Sequence, residues 1–162
     1  MELKTVQVEI PQAANVIIGQ THFIKTIEDL YEILVGASPH IRFGAAFSEA
    51  SGPRLVRYEG NDEDLTRSAV GTIEQIAAGH VFAVFIREAF PINVLNAIKM
   101  CPEVCRIYCA TANPLELIIA ETPQGRGIMG VIDGEPPKGV ETDKDKADRK
   151  ALLRKFGYKI TT

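Results

Sequence analysis

The chain has 162 residues, of which 46% are hydrophobic and 24% charged, and a formal net charge of −3. That is enough chain for one globular core, and no stretch approaches the roughly 18 uninterrupted apolar residues of a membrane span. The mildly acidic balance lacks the clustered Lys and Arg of a nucleic-acid binder, and Met1-Glu2-Leu3-Lys4 lacks the order of a secretion signal. The expectation is one cytoplasmic domain over residues 1–162, with no nucleic-acid partner and no membrane.

From the N-terminus, Leu3–Ile10 alternates apolar and polar residues at period two, which predicts a strand with one wet face, ended by Pro11. Asn15–Gly19 is a more buried run. It leads through Gln20-Thr21-His22 into a helical pattern, Ile24, Ile27, Leu30, Leu34 and Val35, with Thr21 as its expected cap. Ile41–Phe47 resumes as a strand, a small-residue loop follows at Ser48–Pro53, and Arg54–Tyr58 reads as the returning arm of a hairpin. Asn61 or Asp62 then starts a helix whose inner face is Leu65, Ala69, Ile73, Ile76 and Ala77, stopping at Gly79.

His80–Arg87 is almost continuously apolar, as in a central strand covered on both sides. Pro91 opens another helix, with Ile92, Leu95 and Ile98 expected inward, and Pro102 ends it. Val104–Ala110 and Leu115–Ala120 are two further β-rich runs joined through Thr111-Ala112-Asn113-Pro114, and Gly125-Arg126-Gly127 turns the chain into a last run ending at Asp133. After a Pro/Gly connection, residues 142–162 alternate Asp and Lys before an apolar stripe of Ala147, Ala151, Leu152 and Phe156. The pattern predicts a surface helix that packs on the domain or on a neighbouring subunit.

Alternating strands and helices predict an α/β fold, a three-layer α/β/α sandwich with a mixed sheet, because two connections, near Ser51 and Arg126, read as hairpins. If the strands before Gln20-Thr21-His22, Glu88-Ala89-Phe90-Pro91 and Thr111-Ala112-Asn113-Pro114 are parallel neighbours, all three tips open on one crevice. Helix starts there would offer N–H groups to an anion such as phosphate, with Lys25 and Arg54 or Arg126 supplying charge. Neither GxxxxGK[ST] nor GxGxxG occurs, and HExxH, GxSxG and paired CxxC are also absent. Cys101, Cys105 and Cys109 recur every four residues, but Pro102 breaks any helix that would carry all three, and buried reduced thiols are the favoured reading.

Four blocks carry a resemblance. THFIKTIEDLYE (Thr21–Glu32), FSEASGPRLVRYEGND (Phe47–Asp62), AFPINVLNAIK (Ala89–Lys99) and PEVCRIYCATANPLELIIAETPQGRGIMGVIDG (Pro102–Gly134) are similar to the signature blocks of the adenosine-specific kinase family of archaea and bacteria. The resemblance runs to about Glu141. It implies a three-layer α/β/α fold, a homo-oligomer, a site for adenosine or an adenine nucleotide, and transfer of the ATP γ-phosphate to adenosine.

Each candidate residue has a functional and a structural reading. His22 could act as a base or phosphate donor, or cap and pack. Asn113 suits the adenine edge or ribose hydroxyls, or makes the turn before Pro114. Arg126 could clamp phosphate with its fork, or lie solvated on a hairpin. Glu49, Ser51 and Arg54 could line the same crevice, or form an ordinary exposed turn; Lys25 could meet phosphate. Asn93 and Glu121 are weaker candidates, and Asp133 either holds Mg²⁺ or ends a strand. In the kinase reading Mg²⁺ and arginine neutralise the transferring phosphoryl group, while Glu49 or His22 orients or deprotonates the ribose 5′-hydroxyl. Two other readings remain open: a module that binds adenosine or AMP without turnover, and a hydrolase acting on an adenine nucleotide.

Overall fold

The computed structural model describes residues 1–161. In chain order the elements are β1 (Glu2–Val8), β2 (Asn15–Thr21), α1 (Thr26–Ala37), β3 (Arg42–Ser48), β4 (Val56–Gly60), α2 (Glu63–Ile76), β5 (Val81–Arg87), α3 (Pro91–Lys99), β6 (Val104–Thr111), β7 (Leu115–Thr122), β8 (Gly125–Asp133) and α4 (Asp143–Lys155). Their ends follow local chemistry. The Asp62 carboxylate accepts from the Leu65 N–H at 3.1 Å, capping α2, and Glu63 and Asp64 occupy its first turn. That helix closes at a left-handed Ala77 (φ 52°) rather than running on to Gly79. Thr21 does not cap α1: it is the last residue of β2, buried, and its hydroxyl bonds the Glu103 carbonyl at 2.9 Å.

The chain is an α/β protein, with the strands in two sheets of order β4-β3-β5-β2-β6 and β1-β7-β8. Every pairing is antiparallel, which corrects the expected mixed sheet. The reason lies in how two crossovers interlock. β2 and β3, joined by α1, run the same way but leave a gap that β5 fills; β5 and β6, joined by α3, leave a gap that β2 fills. Parallel crossovers therefore exist, and each is split by an antiparallel strand. The two hairpins near Ser51 and Arg126 are as expected, β3-β4 and β7-β8.

Three layers result. Ile17, Phe43, Phe47, Phe82, Val84 and Ile86 face α1 and α3, which contribute Ile27, Leu30, Leu34, Val94 and Ile98. On the opposite face, Val16, Ile18, Ala46, Ala83 and Phe85 meet Leu65, Ala69, Ile73 and Ile76 of α2 and Leu115, Leu117 and Ile119 of β7. The small sheet and α2 thus share one layer. Phe43, Phe47, Phe82 and Phe85 are fully buried, each contributing roughly 1.5–3 kcal/mol relative to exposure.

Three side-chain expectations change. Ile92 is 66% exposed, and the inward residues of α3 are Val94 and Ile98. β5 is central as expected, but β6 is an edge strand, so Cys105 is exposed while Cys101 and Cys109 are buried thiols. None of the α4 residues is buried, and no other element packs substantially against it, so the helix does not lie on its own domain. Among the described residues no helix is long and apolar enough to cross a membrane.

Candidate functional site

The interlocked crossovers decide which strand tips meet. The C-terminal ends of β2 and β3 lie at one end of the large sheet, beside the start of β5; those of β5 and β6 lie at the other. The single crevice expected from Gln20-Thr21-His22, Glu88-Ala89-Phe90-Pro91 and Thr111-Ala112-Asn113-Pro114 is therefore not formed. The candidates instead divide among several places.

Glu49, Arg54 and Arg126 come together. They line a cleft of about 910 Å³ between the β3-β4 loop, the C-terminal end of α2 and the β7-β8 hairpin, with Ser48, Glu74 and Gln124. Its size suits a nucleotide-class ligand. Arg54 sits at φ 55°, a left-handed conformation that a residue with a Cβ adopts only when the surroundings impose it; its N–H closes the turn on the Ser51 carbonyl at 3.3 Å. Its guanidinium makes no ion pair among the described residues. Ser51 is exposed in the same turn.

Glu49 is held firmly. Its carboxylate accepts from the Leu55 N–H at 2.8 Å and from Arg57 Nη2 at 3.0 Å, and the Leu55 bond followed by Arg57 keeps it below the ordinary carboxylate range. Such a group stays ionised and orients a donor better than it retains a proton. Arg126 donates Nε to Glu121, which Lys4 also bonds at 3.0 Å, and Nη1 to the Gln75 carbonyl at 3.4 Å, in the last turn of α2. A cation there complements the negative end of that helix.

A second network, on the α1 side, holds Lys25. Its ammonium donates to Asp29 and, at 3.0 Å, to Glu103 Oε1; Cys101 Sγ donates to Glu103 Oε2 at 2.9 Å. The ligand atoms of Asp29, Cys101 and Glu103 lie within 4.8 Å of one another, but Lys25 already supplies the cation they surround. His22 is exposed beside them, its N–H on the Glu103 carbonyl at 3.2 Å and its ring stacked near Phe23. The bond from Cys101 first, and that from Lys25 after it, hold Glu103 at about 2 against desolvation, far below its ordinary 4.5. A depressed carboxylate stabilises the fold above its unfolded pKa and loses that contribution as pH falls. The expected result is that stability drops between pH 4.5 and 2 more steeply in the native chain than in Glu103→Gln, as followed by urea unfolding across that range.

Asn113 and Asp133 meet at a third place. Asp133 Oδ1 accepts from Thr111 Oγ1 at 2.7 Å and from Asn113 Nδ2 at 3.1 Å, and the Gly134 N–H bonds the Pro114 carbonyl at 2.9 Å. These bonds pin the step where the chain leaves the large sheet for the small one. Asp133→Ala is expected to cost about 1 kcal/mol in urea unfolding while leaving ligand affinity unchanged. Asn93 caps α3, its Oδ1 accepting from the Phe90 N–H at 2.9 Å.

Sequence reasoning passed over Arg57, Glu74, Gln124 and Glu103. Arg57 had a signal: in the expected hairpin it stands opposite Phe47, two residues before Glu49. Glu103 had none.

Fold and cleft define a three-layer α/β domain with a charged pocket of nucleotide size. The chain belongs to the adenosine-specific kinase family, whose model, described as "Adenosine specific kinase", matches residues 6–159. Among solved structures it is similar to the PH1918 protein from Pyrococcus horikoshii OT3, at 45% identity and a TM-score of 0.94 over 99% of each chain. No curated protein matches it.

Proposed function

We propose that the chain transfers the γ-phosphoryl group of ATP to the 5′-hydroxyl of adenosine, giving AMP and ADP, in the cleft between the β3-β4 loop and the β7-β8 hairpin. The observation that carries this reading is that Glu49, Arg54 and Arg126 line one cleft in a chain that matches the family over residues 6–159. Phosphoryl transfer asks mainly for positioning and charge neutralisation. Glu49, ionised and fixed, accepts a hydrogen bond from the ribose hydroxyl and aims its oxygen, and the hydroxyl proton leaves to solvent. Arg54, with its fork free, receives the γ-phosphoryl oxygens, and Arg126 holds the flanking phosphates from the opposite wall.

Mg²⁺ fits this cleft as a passenger on ATP: the carboxylates of Glu49 and Glu74 are hard oxygen donors, whereas Asp133 lies elsewhere with Oδ1 engaged. When bound, the ion would shield the triphosphate charge. The second reading is adenosine binding without turnover, favoured by Glu49 and Arg126 each having protein partners already. Incubation with adenosine, ATP and Mg²⁺ followed by nucleotide chromatography decides between them. Equal amounts of AMP and ADP support the kinase; saturable adenosine binding with ATP intact supports the binding module and overturns the kinase.

A further inference from the structure

Two apolar surfaces of this chain have no partner among the described residues. One is the stripe Ala147, Ala151, Leu152 and Phe156 on α4, where Leu152 is 47% and Phe156 62% exposed. A helix of 13 residues is marginal in water unless it packs on something, and this one buries none of its residues and has no other element packed substantially against it. The other is the outer face of the small sheet. Leu117 and Ile119 point into the core, so alternation turns Ile118 and Ala120 outward. The register places Leu3 beside Ala120, and Gly130 and Thr5 beside Ile118. Ile132 lies beside Glu116, and no helix covers the rows. Leu3 is 63% and Ile132 48% exposed. Gly127 and Gly130 leave open space where a Cβ would stand, which flattens the face.

Charge divides along the same line. From Thr142 onward the chain has seven basic and three acidic side chains, leaving eleven basic and eighteen acidic in the domain that precedes it. A basic arm standing off its own acidic domain is matched in charge to another copy of that domain.

We propose that α4 is an exchange arm, which lays its Ala147–Phe156 stripe on the outer face of the β1-β7-β8 sheet of a second copy of this chain. The connection at Gly134–Glu141, stiffened by Pro136 and Pro137, holds the arm away from its own sheet and presents it to the neighbour. Exchange of the same element between copies closes into an assembly without any new fold.

Sedimentation of the full chain tests this. The native protein is expected above its single-chain mass of 17.7 kDa. Leu152→Glu with Phe156→Glu, and separately Leu3→Glu with Ile132→Glu, are each expected to return it to the single-chain mass with unchanged far-ultraviolet circular dichroism. Val35→Glu, on the exposed side of α1, is expected to keep the native mass. In a Cys105→Ser background, a mixture of Leu152→Cys and Ile132→Cys proteins is expected to form an intermolecular disulfide joining the two variants. A monomeric native chain, an α4 variant that keeps the native mass, or no mixed disulfide would each overturn the proposal. A sheet variant that keeps the native mass would also overturn it, because the arm would then dock elsewhere.

Discussion

Arg54→Ala is expected to lower AMP formation about a thousandfold, while the midpoint of thermal unfolding stays where it is. The two halves of that expectation have different sources. The side chain is exposed and forms no ion pair among the described residues, so the fold does not need it. The backbone at φ 55° starts it from the wall of the cleft, and the unpaired fork is left to close on a ligand. A guanidinium that closes on charge as it develops acts on the transition state of phosphoryl transfer more than on ground-state affinity. Arg54→Lys keeps the charge but not the bidentate geometry and should recover only part of the rate. If steady-state assays find Arg54→Ala as fast as the native chain, the cleft is not where the phosphoryl group moves.

Gly44→Ala is expected to destabilise the fold by more than about 3 kcal/mol, the upper end of ordinary overpacking. A Cβ on Gly44 would stand 2.1 Å from the Thr66 N and 2.3 Å from the Leu65 carbonyl carbon. Both are backbone of the first turns of α2, which that helix cannot move without lifting Leu65, Ala69 and Ile73 from the core. Gly36→Ala, in α1, meets nothing within 4 Å and should stabilise slightly, as alanine does over glycine in a helix. Urea unfolding of the pair measures the difference between a glycine required by contact and one that is not. Equal midpoints would mean that β3 and α2 can separate.

The order and type of the elements were legible because period and punctuation are local, while several ends moved by two or more residues, as at β1 and the start of α1. Asp62 marks its boundary through a bond to Leu65, three residues on, Pro91 through its fixed φ at the start of α3, and Gly125 through the turn between β7 and β8. The layers followed from the apolar faces. The direction of neighbouring strands was not legible, since a strand, a helix and a strand read alike whether the returning strand sits beside the first or leaves a gap for β5. The error carried into the site. His22 and Asn113 were expected at one crevice, yet they lie at opposite ends of the large sheet, whereas Glu49, Arg54 and Arg126 were brought together by packing between the two sheets. Arg126 was recognisable from its glycines; its attachment to α2 through Gln75 depends on a contact 51 residues away in sequence.

The interlocking of the β2-α1-β3 and β5-α3-β6 units also governs how the chain must be made. A ribosome that has released residues up to α2 has delivered both outer rails of a slot and nothing to put in it. β2 and β3 cannot hydrogen-bond each other, and the strand that joins them is still to come. The nascent N-terminal half is therefore an open template whose facing β2 and β3 edges stay unpaired until β5 emerges. Acquisition of the large sheet becomes a late, all-or-none event dominated by long-range pairings, which makes for slow folding. Cutting the chain between α2 and β5 should leave neither piece able to fold, while the two pieces mixed together could complement each other.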